Sequence, residues 1–261
     1  PEAAAVIIDA DIPFPQASLV GCGVMTGVGA AINTARVRSG STVAVFGCGG
    51  IGLNCLQGAA LAGASTIIAV DVMAKKLARA PSFGATHTID ASTCDPVEGI
   101  QELTNGLGVN FAFEAIGLVA EPFRQSIHCT RRRGVTIWVG HAPMNTPVTI
   151  DARDLMQEKT VMGSMYGSAR PRIDFQRMLD LYRSGKLKLD ELISRRFALE
   201  DINEAFEVLA RGEVARSVLT FDEWSGLTGR PSRLPFSCMV THSLRNVLFH
   251  WVVNGCSIIS L

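Results

Sequence analysis

Apolar positions in the first two thirds of the chain fall into short, nearly unbroken runs. Longer stretches with helical spacing separate them. Thr42–Phe46, 66–70, 87–89, Val109–Glu114, 135–139 and Thr160–Gly163 are β-branched or apolar runs of strand length. Between them, 51–62, 74–83, 97–103 and 121–129 carry helical patterns. Ahead of the first strand, Pro13 and Pro15 predict a loop, and 24–38 holds Gly27 and Gly29 before a helix-like stretch from Ala30. Strand and helix alternating at this pitch predict βαβ units and a parallel sheet covered on both faces. Pro81 lacks the N–H that a helix interior needs, so the 74–83 helix is expected to kink or end early. Arg131, Arg132 and Arg133 read as a solvated turn before the strand at 135–139.

Further on, Phe175, Met178, Leu179 and Tyr182 mark one apolar face of a helix over 170–185. Ile202, Ala205, Phe206 and Leu209 do the same for 199–209, and 214–221 returns to a strand. The character of the chain then changes. Ala is frequent up to Phe221 and absent after it, as is Lys, while Trp224 and Trp251 both fall in the tail. The nearly apolar run 247–253, broken by His250, has few basic neighbours to hold a helix on a membrane surface. Residues 222–261 are therefore expected to be an atypical tail with few contacts to the parallel sheet.

Composition narrows the function. The chain has 261 residues, 48% hydrophobic, which supplies a sizeable core and rules out disorder. Its 24 basic and 24 acidic side chains leave no basic face for nucleic acid. No unbroken run of 18 apolar residues occurs, so no membrane-spanning helix is expected. Seven cysteines without a CxxC pair do not form a disulfide framework and point to a reducing compartment, the cytoplasm. The chain begins at Pro1 without a Met or a leader pattern and reads as the middle of a longer protein.

The chemistry sits in Gly47-Cys48-Gly49-Gly50-Ile51-Gly52, which fits G-x-G-x-x-G. Glycines cluster by chance, so the context decides. A buried strand ends at Phe46 and a helix begins about Gly50, as a dinucleotide fingerprint requires. Gly47 permits the tight turn, Gly49 lets a pyrophosphate approach the backbone, and Gly52 allows close helix–strand packing. The helix start offers N–H groups and its positive dipole end. Asp71 closes the next strand, 19 residues after Gly52. A carboxylate there accepts from the ribose hydroxyls and repels a 2′-phosphate, favouring NAD over NADP.

With these residues in hand, the chain resembles the zinc-dependent medium-chain alcohol dehydrogenases. The resemblance runs over 1–221 and is carried in order by Gly21-Cys22-Gly23-Val24-Met25-Thr26-Gly27, 47–52, Asp71, Phe113-Glu114-Ala115-Ile116-Gly117, Trp138-Val139-Gly140, 163–167 and Arg216-Ser217-Val218-Leu219-Thr220-Phe221. It implies a Rossmann domain over 24–165, with 1–23 and 166–221 as remnants of a catalytic domain. It implies that Cys22 is a zinc ligand and that Thr26 lies at the reacting, nicotinamide end. It also implies that Ile51 packs in the first βα turn, that Val139 borders the cofactor, that Lys76 lies near the adenosine ribose, and that Arg216 reaches the pyrophosphate. NAD and zinc would be the cofactors, an alcohol or a hydroxymethyl-thiol adduct the substrate, and a dimer or tetramer the assembled form.

The family's other zinc ligands are not found in this sequence. No His precedes Cys22, no Cys-rich cluster exists, and His87, His128, His141, His242 and His250 read as surface or packing residues. One thiolate cannot hold a catalytic zinc, so the chain as given is expected to bind NAD without turning over alcohol. A non-catalytic NAD-binding module or a decaying gene product is the alternative. Tyr182 and Lys186 spell the Tyr-x-x-x-Lys pair of short-chain dehydrogenases. Tyr182 already belongs to an apolar face, Gly185 would break the helix that aims the pair, and the glycine spacing is wrong for that family.

Overall fold

The computed structural model describes residues 5–220, 238–241, 249–253 and 256–260. Their strands are β1 (Ala5–Val6), β2 (Thr42–Phe46), β3 (Thr66–Asp71), β4 (His87–Asp90), β5 (Val109–Glu114), β6 (Thr130–Trp138) and β7 (Thr160–Gly163). β8 (Ile193–Phe197), β9 (Arg216–Leu219), β10 (Cys238–Thr241), β11 (Phe249–Val253) and β12 (Cys256–Ser260) follow. The helices are α1 (Phe14–Leu19), α2 (Met25–Gly29), α3 (Gly50–Leu61), α4 (Ala74–Leu77), α5 (Pro96–Leu103), α6 (Ala120–His128), α7 (Ala152–Leu155), α8 (Pro171–Arg183) and α9 (Ile202–Ala210). They fall into two compact units, Val24–Ala169 and Pro1–Gly23 with Arg170–Leu261.

The larger unit holds a six-stranded parallel sheet in the order β4-β3-β2-β5-β6-β7. β2 is central: Val43 pairs with Ile67 of β3 on one side and with Phe111 of β5 on the other. Strand order reverses between β2 and β5, so a crevice opens at their carboxyl ends. The sequence dictates this placement. Val43, Ala44, Val45 and Phe46 are all buried, because a strand covered on both faces needs an unbroken apolar run. Ala44, Phe46, Ile68, Val70, Ala112, Ile89 and Ile100 form one core cluster.

Local chemistry sets the element ends. Asp95 caps α5 by accepting from the Val97 N–H at 2.8 Å, with Pro96 in the first turn. Pro81 ends the 74–83 helix early, as expected: α4 stops at Leu77, a 3₁₀ turn covers Ala80–Phe83, and Gly84 closes it at φ 102°. Arg131–Arg133 differ from expectation in lying within the bounds of β6. They nonetheless leave its ladder, since pairing steps from Val109↔Thr130 to Phe111↔Val135, and Arg133 sits at φ 59° beside Glu158.

The N-terminal reading needs correction. Pro13 does end a loop, over 7–13, but Pro15 occupies the first turn of α1, where its missing N–H costs nothing. Helical backbone continues through the π-helical turns Val20–Val24 and Ala30–Thr34. Phe14–Thr34 is thereby long and apolar enough, by length and composition, to cross a membrane, contrary to expectation. Most of it is buried within the protein, as a core helix is.

The smaller unit contains a second six-stranded sheet, β1-β10-β11-β12-β9-β8, antiparallel except for the β8–β9 pair. Three tail segments thus pair as strands in this sheet. The rest of 222–261 lies outside the described residues, and so does most of what was expected of it. The α9 face is corrected: Phe206 is exposed, while Val208 packs with Ala205, Phe197, Val214 and Leu219. Arg183 of α8 grips the N-terminal segment by donating to Asp9 and Asp11, each at 2.6 Å, which holds the Asp11 carboxyl below its ordinary range.

In the larger unit a buried ammonium closes α6. Lys159 Nζ donates to the Ile127 carbonyl at 2.9 Å and to Asp154 Oδ1 at 2.8 Å, and Asp154 Oδ2 faces His128 Nδ1 at 2.9 Å. The Lys159 side chain is 3% exposed. It neutralises the negative end of the helix dipole and satisfies last-turn carbonyls. Asp154→Ala would leave that charge buried and unpaired. It should lower the unfolding free energy by about 3–5 kcal/mol in urea denaturation. A loss under about 1 kcal/mol would place the pair in the energetics of a surface contact.

Candidate functional site

The crevice at the carboxyl ends of β2 and β5 is lined by the glycine turn. Gly47 takes φ +93°, where a Cβ would lie 2.6 Å from Ile116 Cγ1, so glycine is required there. A Cβ on Gly52 would collide with the Gly47 carbonyl oxygen, so its absence lets α3 start directly under the turn. A Cβ on Gly49 would point into open space, the room a bound group needs to reach the backbone. Gly49 is also the N-cap of α3 and supplies no side-chain partner to the first-turn amides. Gly50 and Ile51 form that first turn. A 12-residue helix therefore aims its N–H groups and positive dipole end into the crevice.

Asp71 closes β3 and is 7% exposed. Its Oδ2 accepts from the Cys48 N–H at 2.7 Å and its Oδ1 from the Met73 N–H at 2.9 Å. The carboxylate is thus fixed against the glycine turn, and each oxygen keeps a lone pair for a further donor. Cys48 is not chemically poised: burial, with the negative Asp71 beside it, pushes its thiol up to about 12. The Lys76 ammonium acts on Cys48 in the opposite sense, which puts this half-exposed side chain within charge range of the turn.

Thr26 lies on α2, nearly buried, and α2 packs against α3 through Gly27, whose missing Cβ would stand 2.5 Å from Asn54 Cβ and from the Ile51 carbonyl. Val139 is 8% exposed, and its N–H donates to the Glu114 carbonyl at 2.8 Å. The larger unit thus brings together Gly47, Gly49, Gly50, Ile51, Gly52, Asp71 and Lys76, with Val139 at the end of a nearby strand. Cys22 and Arg216 belong to the smaller unit. There the Arg216 guanidinium packs so closely on Gly23 that a Cβ would lie 2.5 Å from its Nη2. Burial pulls Arg216 below its ordinary value, and the charge of Cys22 opposes that shift.

Comparison with known proteins agrees with this geometry. The pattern of the zinc-binding dehydrogenases matches residues 50–184. The chain belongs to the zinc-binding dehydrogenase family. S-(hydroxymethyl)glutathione dehydrogenase from Paracoccus denitrificans is 38% identical over 230 residues, which are 85% of this chain and 60% of the relative. Among solved structures, benzyl alcohol dehydrogenase from Acinetobacter calcoaceticus superposes with a TM-score of 0.79 at 35% identity, over 82% of this chain and 59% of that one. A Sinorhizobium meliloti 1021 protein solved bound to NADP matches at 33% identity with a TM-score of 0.64, over 70% of this chain and 53% of that one. The chain thus spans about 60% of the length of the curated relative from Paracoccus.

For a zinc-binding dehydrogenase the metal is the open question. Among the described residues no group of three or more His, Cys, Asp or Glu side chains stands close enough to hold a metal ion. The described residues therefore do not fit a zinc site. Cys22 is the one thiol that the family resemblance marks as a ligand, and a catalytic zinc takes three protein ligands.

Sequence reasoning passed over three residues. Val72, directly after Asp71, and Ile116, over Gly47, are apolar and exposed at the ends of the two strands flanking β2. Exposed apolar side chains in such a place suit the flat face of a ligand. The third is Glu114, at the end of β5, with 0% exposure. Its Oε1 accepts from the Ile116 and Gly117 N–H groups at 2.8 and 2.9 Å, while Oε2 has no hydrogen-bond partner. The available signal was an acidic residue ending the apolar run Val-Asn-Phe-Ala-Phe-Glu, since an ionisable group is rarely buried without a task.

Burial pushes the Glu114 carboxyl above its ordinary value of 4.5, against the pull of the Ile116 and Gly117 amides. The folded protein therefore holds this proton more tightly than the unfolded chain does. Stability contributed by neutral Glu114 is lost as pH rises from the ordinary carboxyl value towards the raised one. Glu114→Gln keeps an acceptor for both amides and cannot ionise. The difference in urea stability between the natural chain and this variant should shift in favour of the variant across pH 4–8 (roughly the window in which a raised carboxyl titrates). A constant difference would show that Glu114 ionises alike in both states.

Proposed function

We propose that this chain is the NAD-binding portion of a zinc-dependent alcohol dehydrogenase, whose reaction oxidises an alcohol or a hydroxymethyl-thiol adduct. The observation that carries this reading is the Asp71 carboxylate fixed 2.7 Å from the Cys48 amide of the glycine turn, at the sheet's switch point. NAD, when bound, supplies the hydride acceptor. The chain's own residues do the holding. Amides at the start of α3 bind the pyrophosphate, and Gly49 leaves them room. Asp71 accepts from the ribose hydroxyls of the adenosine half, with Lys76 beside it. Val72 and Ile116 exclude water from the base. Val139 and Thr26 serve the nicotinamide end. For the smaller unit the family resemblance assigns Arg216 to the pyrophosphate and Cys22 to the metal. The names of the relatives support the substrate class, and the balanced cysteine chemistry supports a reducing, cytoplasmic setting.

As given, the chain should bind NAD more tightly than NADP, hold no stoichiometric zinc and turn over no simple alcohol. Asp71→Ala removes both the ribose acceptor and the repulsion of a 2′-phosphate, so it should narrow the gap between the two cofactors. Calorimetric titration with each cofactor, elemental analysis and an alcohol turnover assay address these points together. Equal affinity of the natural chain for NAD and NADP would overturn the role of Asp71. One zinc per chain with turnover would overturn the inactivity.

We also propose self-association through the parallel sheet. Among the described residues β7 is an edge strand, and Met156 and Met165, which flank it in sequence, are exposed by 83% and 78%. An unpaired edge with apolar side chains around it is a template for a second copy. Light scattering on a sizing column should give a dimer or tetramer mass at micromolar concentration, and a monomer throughout would refute it.

A further inference from the structure

The segment after β7 is the most strained in the larger unit. Tyr166, Gly167 and Ser168 are three consecutive residues in the left-handed region, at φ 54°, 65° and 50°. Only glycine enters that region without steric cost, so two neighbouring non-glycine residues persist there only where the surroundings over-determine them. Those surroundings are α2 and the helical turn after it. A Cβ on Gly167 would collide with the Met25 carbonyl oxygen and lie 2.9 Å from the Thr26 carbonyl oxygen. A Cβ on Gly29 would lie 2.5 Å from the Gly167 carbonyl oxygen. The two backbones are thus in direct contact, with no side chain between them. Polar bonds fix the contact one turn further on. Asn33 Nδ2 donates to the Gly167 carbonyl at 3.3 Å, and Thr34 Oγ1 stands 2.8 Å from both Ser164 Oγ and Ser168 Oγ.

We infer that this turn is a clamp that fixes the position of α2, and with it Thr26, and that Thr34 is the positioning residue that holds the clamp closed. The strain is accounted for because no relaxed turn would bring Gly167 into contact with the Met25 and Thr26 carbonyls. The inference rests on the dinucleotide reading and deepens it: the clamp serves the nicotinamide end, where Thr26 is assigned, and leaves the adenosine end, held by Asp71 and the glycine turn, untouched.

The test compares NAD with ADP-ribose, which carries the adenosine, pyrophosphate and second ribose but no nicotinamide. Both are titrated into the full chain and into Thr34→Val, which keeps the shape and loses the hydroxyl. The NAD affinity relative to that of ADP-ribose should fall at least about fivefold, the equilibrium value of one neutral hydrogen bond, since the variant loses two. Thr34→Ser should restore it, and Ser168→Gly, which removes a hydroxyl and relieves the backbone, should lower it in the same direction. If the variants weaken both ligands alike, or neither, Thr34 acts only on stability and the clamp is refuted. If the natural chain binds neither ligand, the dinucleotide reading itself falls, and the clamp with it.

Discussion

The ends of β2, β5 and β6 are tied together through hydrogen bonds of Glu114 and its neighbour Ala115, and the crevice of the parallel sheet depends on that junction. At the switch point β2 and β5 lie side by side while their following segments leave in different directions, so the loops above them need bracing that does not fill the gap. Glu114 braces them from below. Its main-chain carbonyl takes the Val139 and Gly140 amides, and its side chain takes those of Ile116 and Gly117. Ala115 in turn donates to the Phe46 carbonyl, just before the glycine turn. Gly117 and Gly140 touch backbone to backbone, where no Cβ fits. Buried amides must find acceptors somewhere, and here one residue supplies them for two loops.

Asp71 performs the matching task on the other flank of β2. It spends its two oxygens on backbone amides of the glycine turn and of its own strand end, and so its position owes nothing to a ligand. A site whose charged group is fixed beforehand loses little ordering entropy on binding. Glu114 and Asp71 thus divide the labour. One, its carboxyl pushed above the ordinary value by burial, shapes the crevice, and the other lies at its margin with lone pairs to spare.

The centre of the parallel sheet was legible because burial on both faces forces the unbroken apolar runs of β2, β3 and β5, while the exposed edge strands β4 and β7 were legible from their β-branched residues and their spacing. The glycine turn was legible because each glycine answers a distinct steric demand. What escaped was set by tertiary context. Pro15 reads as a loop residue, yet a proline is welcome in a first helical turn. Phe206 fits the period of α9 but lies off the face that Ala205 and Val208 press against β9 and Phe197. Val72 and Ile116 carried no assigned role in the sequence, and their exposure at the strand ends becomes visible only in the fold. The left-handed turn at 166–168 could not be foreseen, because nothing in Tyr-Gly-Ser demands φ > 0 at three successive positions until α2 occupies the space beside it.

The two proposed cofactor sites differ in the company their key residues keep. Around the glycine turn the Asp71 carboxylate and the first-turn amides of α3 are already oriented by the fold. Around Cys22 the surroundings are those of a charge pair. The backbone there winds as a π-helical turn, Gly23 is bare so that the Arg216 guanidinium can lie against it, and the Cys22 charge acts on that guanidinium. A dication arriving at the sulfur would meet a fixed positive charge in a poorly hydrated place, where Coulomb repulsion is weakly screened. A metal centre built on Cys22 would therefore need further anionic or neutral ligands to outweigh Arg216, and among the described residues no group of three or more His, Cys, Asp or Glu side chains stands ready to hold a metal ion.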